Sequence, residues 1–283
     1  MALYGGQFVI SRWSIQRTLS PWDLAAIRFA VAGVLMLPVL ARYGVTSAAG
    51  IGWRRSVALG ITVGAPYTLV LFSGLSLAPA AHGAVIIPGA APIVSALLLR
   101  LSFGEPVGRV RLAGLGLIVV GLVLVSWPSM WGGGDRVWLG DLLFVIAGVL
   151  WATFTVLARA WRVDPMRATA VVWVLALAYL PAYAAVAGGR LLTAPRGEIV
   201  FQAIYQGVGV AILALLLYTR AIATLGAGAA SLFMPLIPVF GVLLAVPVLE
   251  EIPLPVQLAG MLAVCAGLAV AARASARARD VPA

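Results

Sequence analysis

Apolar runs long enough to cross a lipid bilayer recur along almost the whole chain and leave little room for anything else. A spanning helix needs about 20 consecutive apolar residues. Runs of that size fall at 22–41, 56–77, 80–100, 109–127, 138–158, 166–188, 199–220, 226–248 and 255–272, and the shorter stretch 1–17 makes a tenth. Backbone polar groups in hydrocarbon must be satisfied within the protein, so only helices and closed barrels span membranes. The short alternating segments of a barrel are missing, so the runs read as helices. The expected fold is an all-α integral membrane protein of ten transmembrane helices, with short connections and no soluble domain.

Composition agrees. Of 283 residues, 63% are hydrophobic and only 10% charged, where a soluble domain carries roughly a quarter. The mean hydropathy of +1.09 points to lipid. A net charge of +10 could suggest a nucleic-acid partner. The charges, however, lie in short gaps between apolar runs, on no soluble module, so nucleic acid is set aside. All 19 basic residues are arginine, as a GC-rich bacterial genome would encode. The single Cys265 lies in an apolar run, which rules out a disulfide framework and a cysteine-based metal site. No basic segment precedes a short apolar core as in a cleaved signal peptide.

Arginine placement sets the orientation. With the N-terminus in the cytoplasm, Arg12, Arg17, Arg28, Arg136, Arg190 and Arg196 fall at or near the outer face, and the other 13 fall inside. The expected topology is thus multi-pass in a bacterial inner membrane with both termini cytoplasmic.

The chain also repeats itself. At a shift of 146 residues, Pro92 lands on Pro238, Glu105 on Glu251, Leu112-Ala113-Gly114 on Leu258-Ala259-Gly260, and Gly121 on Gly267. At 147, Arg12 lands on Arg159 and Tyr4 on Trp151. The chain divides into a first five-helix half over 1–128, a second over 136–273, and a basic cytoplasmic tail over 274–283. Five is odd, so the second half enters the membrane from the opposite side. Inverted repeats of this kind build a central site with alternating access. The sixth helix has about ten residues before Trp151 and the first only three before Tyr4, which leads us to expect roughly ten native residues ahead of this numbering.

Three stretches carry a family resemblance: "PWDLAAIRF", "AAHGAVIIPGAAPIVSALLLRLSFGEPVGRVRLAGLGLIVVGLVLV" and "GAASLFMPLIPVFGVLLAVPVLEEIPLPVQLAGMLAVCAGLAV". They resemble the drug/metabolite transporter superfamily, in its ten-helix EamA-type branch. The resemblance implies an inner-membrane exporter of amino acids or other small metabolites, with the aromatic amino-acid exporters as the nearest guess. It also implies a cavity lined by helices one, three, four, six, eight and nine.

Trp151 and Tyr4 are the foremost substrate candidates. Seven of the nine tryptophans fall near span ends, as an interfacial aromatic belt predicts. Trp151 falls mid-span, and its repeat partner Tyr4 lies at the matching depth, so the two could face each other across a cavity and stack on a flat substrate. Trp173, on a helix expected at the periphery, is read as packing. Gln7, Tyr67, Thr155, Tyr205 and Gln206 are polar groups within spans, suited equally to substrate contact and to helix–helix hydrogen bonding. Pro88 and Pro92, and their counterparts Pro235 and Pro238, remove helix hydrogen bonds and bend their spans, with a shared hinge or gate as the functional alternative. Pro88 is also placed with the substrate group, as are Ser231 and Phe233.

His82, the sole histidine, opens the fourth span on the outer side. It reads as a solvated interfacial residue, with gating or proton transfer as the alternative. Glu105 and Glu251 read as interfacial carboxylates before helices five and ten. Gly114, Gly121, Gly260 and Gly267 lie on one face of each of those helices and permit close packing.

No carboxylate is expected mid-membrane, with Asp23 and Asp141 placed at the outer face. Uncoupled carriage of a neutral or zwitterionic solute therefore fits better than proton-coupled export of cations. No Walker loop, zinc-protease helix motif or nucleophile elbow occurs. Catalytic residues, cofactors and metals are accordingly not expected. The partners are membrane lipid and a small-molecule substrate, and the chain reads as a monomer. Nucleosides, sugars and organic anions are the alternative substrates. An intramembrane enzyme or a scaffold is the alternative class, but an enzyme gains nothing from inverted halves, and a scaffold would not need Tyr4, Tyr67 and Trp151 mid-membrane.

Overall fold

The computed structural model describes residues 1–104, 107–131, 136–186, 190–218, 220–221 and 233–277. Among the described residues every regular element is helical. The first half holds α1 (Ala2–Arg17), α2 (Pro21–Tyr43), α3 (Trp53–Val63), α4 (Ala65–Leu77), α5 (Ala80–Phe103) and α6 (Arg109–Trp131). The second holds α7 (Val137–Ala160), α8 (Pro165–Ala176), α9 (Tyr179–Val186), α10 (Arg190–Thr193) and α11 (Arg196–Gln202). A π-helix, Ala203–Ala214, continues α11, and α12 (Leu236–Leu249) and α13 (Pro255–Arg277) complete the fold.

Among the described residues, eight stretches are long and apolar enough to cross a membrane: Pro21–Tyr43, Trp53–Leu77, Ala80–Leu101, Arg109–Ser129, Val137–Ala160, Pro165–Val186, Arg196–Tyr218 and Pro255–Ala274. The first and ninth expected spans are shorter, at 16 residues in α1 and 14 in α12. The N-terminal part of the ninth span, including Ser231, lies outside the described residues, as does Glu105.

The third span departs from the expected continuous helix. Pro66 lacks an N–H, and its ring clashes with the carbonyl four residues back, so it suits a first turn and not an interior. The chain breaks at Gly64 (φ −83°, ψ −128°), ending α3 and restarting as α4 with Pro66 in its first turn. The Thr62 hydroxyl bonds back to the carbonyls of Ala58 and Leu59 within α3. Elsewhere caps follow local sequence. Ser20 and Asp23 form a reciprocal capping box on α2, and the Asp164 side chain accepts from the Arg167 N–H at the start of α8.

Packing pairs the two halves. α1 packs on α12 as α7 packs on α5, and α5 packs on α12. α6 and α13 cross antiparallel through their glycines. A Cβ added at Gly114 would lie 2.9 Å from the Gly267 carbonyl oxygen, and one at Gly260 would lie 2.6 Å from that of Gly121. The predicted small-residue faces are thus where two backbones touch. Phe144 of α7 is wedged over Gly74 of α4 and Gly83 of α5, where an added Cβ would come within 2.6 and 2.9 Å of its ring. That contact draws α4, α5 and α7 around one central space. Trp22, Trp53, Trp127 and Trp138 are exposed near span ends, as a belt requires.

Candidate functional site

The central space is a narrow cavity of about 40 Å³, room for a few water molecules and well below the usual volume of a small-molecule site. Its walls include Tyr4 of α1, Tyr67 in the first turn of α4, Pro88 of α5, Trp151 of α7 and Tyr218 beyond the π-helix. Tyr4 and Trp151 meet edge to face, with ring centroids 6.1 Å apart and planes at 77°. Tyr67 and Trp151 lie 5.7 Å apart at 43°, and Tyr4 meets Tyr218 at 6.4 Å and 89°. Such tilted arrangements suit the ring quadrupoles. The Tyr4 hydroxyl is buried and has no hydrogen-bond partner.

A second compartment of about 30 Å³ shares Tyr4, Gln7, Tyr67 and Trp151 as its wall and adds Arg28 and Trp173. Arg28 sits about two turns into α2 and is 2% exposed. Its Nη2 donates to Gln7 Oε1 at 3.2 Å and to Gln206 Oε1. Its guanidinium carbon lies 4.6 Å from the Phe72 ring centroid. Nε is buried without an acceptor. Gln206 is itself held by its Nε2, which donates to Ser11 Oγ at 2.7 Å. One turn earlier, Gln202 donates to the Ile10 carbonyl and Ser14 Oγ. The end of α11 and the π-helix are thereby each fastened to α1 by one amide, and Gln206 reaches Arg28 but not the cavity wall.

Sequence reading counted Arg28 only as an outer-face charge and missed it. The available signal was its position inside the apolar run 22–41, since an ionisable residue there is a functional-site hypothesis by default. Trp173 was read as peripheral packing. It does pack, donating from Nε1 to the Ala211 carbonyl at 3.0 Å, but it also lines the second compartment.

The expectation of a solvated His82 is overturned. His82 is 2% exposed. Its Nδ1 lies 2.7 Å from Asp141 Oδ1 and its Nε2 2.8 Å from Gln257 Nε2. The reason is packing: α7 and α13 close over the first turn of α5. Asp141 and Asp23 lie near the starts of their helices, as expected, and both are buried. Asp23 accepts from Ser20 and from the Tyr183 hydroxyl. Beside this cluster, Glu251 pairs with Arg12 and accepts from the Ala80 N–H at 2.8 Å, while Arg12 donates to the Leu75 carbonyl at 2.6 Å. Glu251 therefore caps α5 rather than its own neighbour α13.

The remaining candidates, Pro88 apart, separate from the cavity. The Thr155 side chain is exposed and donates to the Trp151 carbonyl at 2.9 Å. The Tyr205 hydroxyl donates to the Leu3 carbonyl at 3.1 Å. Phe233 is exposed and borders a lateral groove with Met1 and Phe240. Pro88 and Pro92 lie inside α5. Pro235 is instead the residue before α12 and Pro238 falls in its first turn, where no helix hydrogen bond is lost. The expected bend at those two prolines is corrected to a helix start. Among the described residues no cluster of three metal-ligating side chains occurs.

The model of the EamA-like transporter family matches residues 1–127 and 138–273. A protein of Archaeoglobus fulgidus named as an uncharacterized transporter is 25% identical over 89% of this chain and 88% of its own. A Bacillus subtilis protein named in the same way is 25% identical over 83% of this chain and 79% of its own. A WAT1-related chloroplastic protein of Arabidopsis thaliana is 31% identical over 63% of this chain and 43% of its own. One crystal structure, of a protein 21% identical, superposes with a TM-score of 0.55 over 99% of both chains, which speaks for a shared fold.

Proposed function

Because the chain belongs to the EamA-like transporter family, we propose that it exports small metabolites from the bacterial cytoplasm, with amino acids, and aromatic ones foremost, as substrates. The observation that carries this reading is the set of rings from Tyr4, Tyr67 and Trp151 around one central cavity. These rings come from three separate helices and offer faces and edges to a flat apolar group.

Ten spans in two inverted five-helix halves complete the proposal, with both termini cytoplasmic, a single chain as the working unit and alternating access as the mechanism. The matched packing of α1 on α12 and of α7 on α5 supports the inverted relation. A discontinuous span at the cavity wall, here the break at Gly64, supports a transport site, because the ends of broken helices receive substrate groups in inverted-repeat carriers. Carriage is proposed to be uncoupled: among the described residues, neither compartment is lined by a carboxylate or a histidine.

The test is uptake of radiolabelled phenylalanine, threonine and methionine into proteoliposomes, with and without a pH gradient. Saturable uptake that ignores the gradient and disappears in Trp151→Ala is the expected result. Failure to take up any of the three by folded protein overturns the substrate assignment, and gradient-driven accumulation overturns uncoupled carriage.

A further inference from the structure

We propose that Arg28 is the anion-recognising residue of the central site, and that the site selects flat apolar molecules carrying a carboxylate. The inference rests on the transporter reading and deepens it by naming the charged group that the substrate must bear.

Three observations converge. First, Arg28 is 2% exposed, and among the described residues no carboxylate pairs with it. A guanidinium is always charged and offers five donors. The acceptors it reaches are two neutral amides, both at Nη2. The Nε donor is buried and unused. Burying a charge without a counter-ion is costly, so an arginine kept in this state is poised for an anion that is not part of the chain.

Second, the guanidinium is held in place. Phe72 covers one side of it, and Gln206, fixed by Ser11, and Gln7 anchor one terminal nitrogen. Both Nη2 protons are taken by the two amides, so Nε–H is the donor left to meet a carboxylate oxygen, in a charge-assisted bond.

Third, the surroundings suit the rest of such a molecule. Arg28 shares a compartment wall with Tyr4, Tyr67 and Trp151, and the buried Tyr4 hydroxyl also lacks a partner. Val63 and Tyr67, either side of the break at Gly64, line the same wall. The first turn of α4 has no side-chain cap there, so its N–H groups add to a positive potential. The two compartments hold no acidic side chain among their described linings, so a bare ammonium finds only repulsion. The expected order of preference is aromatic acid at or above aromatic amino acid, and both far above the aromatic amine.

The experiment is competition against tritiated phenylalanine, both for uptake into proteoliposomes and for binding to the purified protein. The competitors are unlabelled phenylalanine, 3-phenylpropionate and phenethylamine. The expected result is that 3-phenylpropionate competes at least as well as phenylalanine, while phenethylamine is weaker by about 100-fold, as for a site whose buried polar group is left unpaired. Arg28→Gln should lose the two carboxylates by a similar factor and leave phenethylamine unchanged. Arg28→Lys, which keeps charge but not the fork, should fall between. Phenethylamine competing as well as the acid, or Arg28→Gln carrying phenylalanine at the native rate, overturns the role of Arg28 and leaves the transporter reading intact. No binding of any of the three compounds to native protein overturns both. The native panel decides the matter even where Arg28→Gln does not fold.

Discussion

Arg12 and Arg28 both withdraw a guanidinium from bulk water, but into different company. Arg12, with its side chain 14% exposed, meets the Glu251 carboxylate and the Leu75 carbonyl, and the same carboxylate caps the first turn of α5. Every charge there has an answer within the chain, so the cluster fastens α1 to the start of α5 and the end of α12. Arg28 meets two amides and an aromatic ring, and its Nε meets nothing. A buried ion pair is costly to break because the surviving charge is stranded. Removing a buried charge with no counter-ion strands no opposite charge, only the two neutral amide oxygens that it donates to. The difference separates a charge that holds the fold from one that waits for a ligand.

Removing the partner in the first cluster should have the largest effect on stability. Glu251→Ala leaves Arg12 uncompensated and uncovers the Ala80 N–H, and should cost about 3 kcal/mol. Thermal unfolding in detergent reads this as a clear fall in midpoint, and an unchanged midpoint would make the pair a mere surface contact. Arg28→Met should do the reverse. Its unfolding midpoint should stay within about 1 kcal/mol of native or rise, while phenylalanine uptake falls by about 100-fold. A destabilisation equal to that of Glu251→Ala would erase the contrast. Gln206→Leu should sharpen it, because Arg28 then keeps only Gln7 as an acceptor and loses its fixed pose. Affinity for phenylalanine should weaken about tenfold, or about 1.4 kcal/mol, in equilibrium binding. Thr155→Val should matter least, within roughly twofold in uptake, because its hydroxyl serves its own helix backbone.

Much of this was legible in the residues. Apolar length located the eight long spans, and the 146-residue slide matched α6 to α13 and so explained their facing glycines. Tyr4 and Trp151, singled out by their matching depth, have ring centroids 6.1 Å apart. The break in the third span was written in Gly64-Ala65-Pro66, though a run-length count passes over it. What stayed hidden was rotation about helix axes. Arg28, Asp141 and His82 were placed by distance from span ends, which gives depth but not which neighbour covers a side chain. Only the packing of α2 on α4 and the π-helix turns Arg28 inward, and only α7 and α13 bury His82. The π-helix was equally unreadable, because the amides of Gln202 and Gln206 and the Trp173 indole that bind along it come from tertiary contacts.

The most direct measurement asks whether the central cavity faces both sides of the membrane in turn. Ile87 lines it and is 4% exposed, and Cys265 is the only native cysteine. In a Cys265→Ala background, Ile87→Cys would be treated with a membrane-impermeant thiol reagent in right-side-out and in inside-out vesicles, with and without phenylalanine. Alternating access predicts labelling from both sides, slowed by phenylalanine on each. Labelling from one side only, at a rate indifferent to phenylalanine, would show that the aromatic cavity is not the transport path.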